Sequence, residues 1–160
     1  MFHNLLPNAA FSLVTWDGTN YTVGAGVDGA VVLSGEIDMQ GYDSLCVIAS
    51  IGTIAASGVF TMFAKCSNTS GTYGSGTIDK IGTSIANDAD TDDNKLFILD
   101  FHKIPRRYVK IVTQRTAGNG TELALIAIRY NAHLNPVTQS SSVGGVEASG
   151  TFNNPTPSAT

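Results

Sequence analysis

The sequence predicts an all-β chain, a single antiparallel sandwich or barrel of about eight strands, and three observations predict it. Apolar runs of strand length recur at short intervals between turn signals such as DGTN, QGYD, AASG and AGNG. Charged residues make up 14% of the chain, against roughly 25% in ordinary globular domains, while Gly, Ser, Thr, Asn, Val and Ile are plentiful. No segment carries a convincing 3.6-residue apolar period, which removes a helical bundle.

Taken in order, FSLVTW (11–16) is the first strand and ends at DGTN. YTV (21–23) leads into a glycine-rich turn, and AVVLSGEIDM (30–39) is read as one strand stopping at QGYD. SLCVIASIGTI (44–54) and VFTMFAKCS (59–67) follow, the second running into the polar loop NTSGTYGSG. IDKIGTSIA, then KLFILDF (95–101), RYVKIVTQR (107–115) and ELALIAIRYNA (122–132) complete the set. In VFTMFAKCS the even positions Phe60, Met62, Ala64 and Cys66 share one face, which makes Cys66 a small buried hydrophobe. In the strand after Arg107, Val109 and Ile111 alternate with Lys110 and Gln114, so that strand is expected to be half exposed. LALIAI (123–128) is apolar at every position. It is expected to be covered on both faces, by the second sheet and by something else, such as another subunit.

The domain boundaries follow from composition. Residues 1–8 form an N-terminal arm whose Phe2, Leu5 and Leu6 are apolar for a terminus and are expected to pack on something. Residues 9–134 form the β domain. Residues 135–160 are rich in Ser, Gly, Thr, Asn and Pro and form a tail that cannot offset its ordering entropy alone.

At 160 residues the chain fits one domain, and its net charge of -4 argues against a polyanion-binding molecule. No secretory signal and no run of ~18 apolar residues is visible, so the expectation is a soluble chain with no membrane partner and no nucleic-acid partner. Cys46 and Cys66 lie at no metal-ligand spacing.

Each motif has a bland alternative. GAGVDG (24–29) matches the dinucleotide fingerprint by letter, but a strand-like run follows it where the fingerprint needs a helix, so it is read as a hairpin turn. NDADTDDN (87–94) places Asp88, Asp90 and Asp92 in D-x-D-x-D spacing. Asp93 and Leu99 stand where an EF-hand needs Gly and Glu, so these residues are weak metal candidates at most, and a solvated acidic turn is the alternative. His3, His102 and His133 are far apart, no G-x-S-x-G elbow occurs, and no enzyme activity and no cofactor are expected.

NKLFILDFHKIPRRYVKIV (94–112) concentrates charge where two strands meet, with Lys103, Arg106 and Arg107 around Pro105. The bland reading is a charged sheet edge that discourages aggregation. The sharper one is an anchor, in which the arginines grip carboxylates of a neighbouring protein beside Tyr108.

FHNLLPNAAF, IDMQGYDSLCVIASIG, DDNKLFILDFHKIPRRYVKIVTQR and ALIAIRYNA, in that order, resemble the head decoration, or cement, proteins of short-tailed phages, most specifically over residues 93–109. The resemblance covers residues 1 to about 137; NTSGTYGSG and the tail after Val137 depart from it. It implies a jelly-roll-like β-sandwich that assembles as a small homo-oligomer, a dimer or trimer. It also implies placement on the outer surface of the virion capsid, after time in the host cytoplasm during assembly, where the protein clamps adjacent capsomers of the major capsid protein. The expected contact residues are Phe2, Leu5, Leu6, Lys103, Arg106, Arg107 and Tyr108. The competing expectation is a carbohydrate- or host-binding β-sandwich of a tail or head fibre, with Trp16, Tyr21 and Tyr73 as a sugar platform. A third, a small metal-dependent enzyme, rests on the acidic loop alone.

Overall fold

A computed structural model describes residues 5, 7–19, 31–54, 58–75, 78–86, 93–116, 120–134 and 136–139. Its strands are β1 (Ala9–Val14), β2 (Val31–Leu33), β3 (Ile37–Asp38), β4 (Tyr42–Ile54), β5 (Val59–Ser67), β6 (Lys80–Ala86), β7 (Leu96–Phe101), β8 (Tyr108–Thr116) and β9 (Gly120–Ala132). No helix occurs among the described residues.

The strands form two antiparallel sheets. The first has the order β1-β9-β4-β7; the second has β2-β8-β5-β6, with β3 also on β8. Because β2 and β3 share one position beside β8, nine segments fill eight strand positions, and the interleaving of first and last strands is that of a jelly roll. The expected all-β sandwich is therefore the observed architecture.

AVVLSGEIDM is two strands rather than one. At Ser34 the chain leaves the ladder: the Ser34 N–H donates to the Ile111 carbonyl at 2.8 Å, and the Ser34 Oγ accepts from the Ile111 N–H at 2.9 Å. A hydroxyl thus replaces the missing backbone acceptor. The bend sends the Gly35 N–H across to the Thr15 carbonyl at 2.8 Å, tying the second sheet to the edge of the first. The strand-like run YTV and the motif GAGVDG lie outside the described residues.

The core lies between the sheets. Leu45, Val47, Ala49 and Leu125 of the first sheet meet Phe60, Met62, Ala64, Cys66, Val109 and Ile111 of the second, all buried. Phe60 and Phe97 cross the gap edge to face, with ring centroids 5.3 Å apart. The face assigned to Cys66 is the core face, and both cysteines are free. Trp16, a candidate sugar platform, is instead fully buried in this core.

A bulge on β9 changes what the alternation delivers. Ser50 pairs with Ala124 but Ile51 pairs with Glu122, so the register slips at Leu123. Without the slip Leu123 would face the core; with it Leu123 turns outward and Glu122 turns in, fully buried. Glu122 meets Arg115 of β8, which is 4% exposed, with Nη2 2.6 Å from Oε2. The contact is an ion pair out of line with directional hydrogen bonding. Burial pushes the Glu122 carboxyl up, and Arg115 pulls it part of the way back.

Candidate partner interface

In a jelly roll the β3–β4, β5–β6 and β7–β8 connections gather at one end, and the basic stretch 102–107 is the last of these. Its backbone is mounted on β4. The Lys103 N–H donates to Ser44 Oγ at 3.4 Å, and the Ile104 N–H donates to the Asp43 carbonyl at 2.7 Å. Ser44 is fully buried and also receives Asn131 Nδ2 at 2.9 Å, so one hydroxyl serves β9 and the loop together. Lys103 adopts φ 55°, which lets the chain reverse before Pro105.

Both arginines find carboxylates of their own chain. Arg107 forks onto Asp38 of β3, with Nε on Oδ1 at 2.9 Å and Nη2 on Oδ2 at 2.7 Å, and its guanidinium lies 4.9 Å from the Tyr108 ring centroid. The fork holds the Asp38 carboxyl below the usual range. Arg106 pairs with Asp79 and donates to the Cys66 carbonyl at 3.2 Å. The Asp79 carboxyl is lowered, first by the Gly74 N–H and then by Arg106. The basic stretch is thus a brace for one end of the sandwich. Its arginines remain about two-fifths exposed, at 41% for Arg106 and 44% for Arg107, so they also present a charged surface.

A third carboxylate holds the β5–β6 connection. Glu36 accepts from the Ser70 hydroxyl at 2.6 Å, the Gly71 N–H at 2.8 Å and the Tyr73 hydroxyl at 2.8 Å. Burial raises the Glu36 carboxyl, but these three donors outweigh it and the net shift is downward. Tyr73 is raised, by burial first and Glu36 second. The connection folds back over the outer face of the second sheet, where Lys65 donates Nζ to the Gly74 carbonyl at 2.6 Å and Val112 is 1% exposed. The half-exposed face expected for β8 is therefore covered at Val112.

The outer face of the first sheet carries its own aliphatic side chains. Pairing registers align Leu13, Ile126, Ile48 and Ile98 straight across its four strands, with Phe11, Ile128, Cys46 and Asp100 in the next row. Leu96 is 61% exposed, Ile98 52% and Leu13 45%. At the braced end this face opens into a cleft of about 670 Å³ lined by Leu5, Cys46, Asp43, Asp100, Tyr130 and His133 among others. Tyr130 donates its hydroxyl to Asp100 at 2.7 Å, and His133 Nε2 lies 2.8 Å from Asp43. Burial and the nearby Asp100 push the Cys46 thiol up.

The structure therefore brings Lys103, Arg106, Arg107 and Tyr108 together at one end and places Leu5, 58% exposed, at the cleft. Phe2 and Leu6 lie outside the described residues, as do Asp88, Asp90, Asp92 and Tyr21. Among the described residues no group of three His, Cys, Asp or Glu side chains could hold a metal ion. No described helix is long and apolar enough to cross a membrane. Sequence reasoning missed the internal partners Asp38, Asp79 and Glu36, which stand in unremarkable local sequence and reach Arg107, Arg106 and the β5–β6 connection only across the fold. It saw the doubly apolar LALIAI but not the Leu13 to Ile98 row, which exists only once four strands are in register. No protein-family model and no curated protein matches the chain.

Proposed function

We propose that the protein is a virion structural component that binds the outside of a phage head and cements adjacent capsomers of the major capsid protein. The observation that carries this reading is the way the jelly roll spends its surface. Its polar residues brace one end, and one sheet face presents the exposed aliphatic side chains Leu13, Leu96 and Ile98, which suits adhesion to protein. The block resemblance to decoration proteins supports the same reading. Such a protein stabilises the assembled lattice by binding it in preference to free coat subunits. The test is mass spectrometry of purified virions, counting copies of this chain per copy of coat protein. A fixed ratio of the order of one per coat subunit or per capsomer is expected; fewer than a few dozen copies per particle defeats the proposal.

A second reading is a carbohydrate- or host-binding module, and the cleft favours it. Tyr130, Asn131, Asp43 and Asp100 offer an aromatic ring beside hydrogen-bonding groups. Burial of Trp16 removes the strongest sugar platform from that reading. Clear, saturable signals on a glycan array, lost in Tyr130→Ala, would establish it.

A further inference from the structure

We infer that the groove between the β5–β6 connection and the outer face of the second sheet binds a small anionic amphiphile, an acidic head on an aliphatic chain, with Lys65, Lys80 and Lys110 gathered around the head. The site is separate from the capsid reading and from the cleft beside Tyr130, since it lies on the other sheet.

Three lysines stand abreast on this face. Register pairs Lys65 of β5 with Lys80 of β6 on one side and with Lys110 of β8 on the other. The row takes three of the chain's nine Lys and Arg residues. Like charges directly opposite one another in a sheet are destabilising. Yet none of the three forms an ion pair with a carboxylate among the described residues. Two carboxylates act on the row from a distance, Glu36 on Lys110 and Asp79 on Lys65. Both are already engaged, Glu36 by Ser70, Gly71 and Tyr73, and Asp79 by Gly74 and Arg106. Lys65 is 4% exposed and directs one N–H to the Gly74 carbonyl, where an ammonium has three to offer. Lys80 reaches Ser84 Oγ at 2.7 Å and lies 5.1 Å from the Phe63 ring centroid, while Lys110 lies 5.6 Å from that of Tyr73. A buried ammonium without a facing carboxylate is unfavourable, and an arriving anion relieves both that and the repulsion along the row.

What adjoins the row decides the kind of anion. The next row on the same face is Phe63, Val112 and Leu33, and the one after it is Thr61, Gln114 and Val31. Same-face rows lie about 6.7 Å apart, so this bed extends about 13 Å from the lysines. It is the floor of a groove of about 490 Å³, within the roughly 300 to 1,000 Å³ of small-molecule sites. Phe63 and Val112 are buried at the floor, and Leu33 and Val31 are exposed at the rim. Tyr73 and Gly74 make the opposite wall, and Glu36 holds Tyr73 there by its hydroxyl. An inorganic anion leaves this bed unused. A long polyanion needs an open track, and here the connection lies over the lysines at Tyr73 and Gly74.

The experiment is an amide chemical-shift titration of the full chain with octyl sulfate, octyl phosphate and octanoate. Octanol and inorganic sulfate remove the charge and the chain in turn. At least one octyl anion is expected to bind with a dissociation constant below about 1 mM, with shifts centred on residues 61–65, 73–75 and 110–114. Octanol and sulfate are each expected to bind about tenfold more weakly or worse. Lys80→Gln together with Lys110→Gln is expected to weaken the octyl anion by about tenfold or more. Thermal unfolding of that double variant without ligand should show no loss of stability, because two like-charge pairs are gone. Lys65→Met is an independent variant that keeps the aliphatic stem and removes the central ammonium. Failure of all three octyl anions to bind overturns the inference, as does binding that survives both the double variant and Lys65→Met. Octanol binding as tightly as the anions shows an apolar groove only, and sulfate binding as tightly shows a charged patch only; either overturns it. A heparin fragment that outcompetes every octyl anion assigns the lysines to a polyanion, and shifts centred on Leu13, Leu96 and Ile98 assign binding to the first sheet; both outcomes also overturn it.

Discussion

Gly82 shows how much a single position depends on residues far away in the chain. It lies inside β6 at φ 66°, where the register between β5 and β6 shifts between Met62 and Ala64. A left-handed residue at a bulge is a glycine role. Here the role is enforced twice, because a Cβ at Gly82 would stand 2.9 Å from the Phe101 Cε1 of the opposite sheet. Gly82→Ala is therefore expected to cost about 1 to 3 kcal/mol, seen as a lower urea midpoint with an unchanged slope. An unchanged midpoint would mean that β6 relaxes without strain. In the sequence Gly82 is one more glycine in IDKIGTSIA; its constraint comes from β7, which no local pattern can reveal. Cys66 is the opposite case. Its burial was legible because every residue that fixes it, Phe60, Met62 and Ala64, lies on the same strand.

At the scale of elements, legibility follows the same division. Strands whose faces alternate without interruption, such as β5 and the Val109 to Ile111 part of β8, were readable from their own residues. The Leu123 bulge was not, since ELALIAI alternates equally well with Leu123 inside, and only pairing with Ile51 sets the slip. Nor was the brace, because Arg106 and Arg107 were visible while Asp79 reaches them from the β5–β6 connection and Asp38 from β3. The β5–β6 connection, the loop NTSGTYGSG, is the clearest element-scale test. Glu36→Ala removes all three of its carboxylate contacts and is expected to speed amide exchange across residues 68–75 while leaving β4, β5 and β9 protected. Acid should imitate the substitution. The Glu36 carboxyl is lowered in the fold, so its contribution is present above the unfolded glutamate value and lost as pH falls through the folded value. Hydrogen exchange measured at neutral and acidic pH checks both, and equal protection in wild type and variant would show that the loop is held by other contacts.

For the whole molecule, the braced end has a counterpart at the other end of the sandwich. Arg115 of β8 and Glu122 of β9 belong to different sheets, so their buried contact fastens the two layers together where the β8–β9 connection leaves. A buried pair of this kind need not add net stability, but removing one partner strands the other charge in a low-dielectric interior. Arg115→Met is therefore expected to destabilise the fold by about 3 to 5 kcal/mol at neutral pH. The pH dependence of that loss separates a stranded charge from a packing defect. Without Arg115, burial acts on Glu122 with its largest opposing influence gone, and its folded pKa rises further above the unfolded value. A group raised in this way leaves stability intact below its unfolded value and drains it as pH climbs through the folded one. The gap between wild type and Arg115→Met should then be narrow in mild acid and widen toward neutrality, as read from urea unfolding across that range. A second substitution, Glu122→Leu, made in the Arg115→Met background, removes the stranded carboxyl and should recover most of the loss at neutral pH. A gap independent of pH and not recovered by Glu122→Leu would show that Arg115 acts through its volume in the core, and that the layers are joined by packing alone.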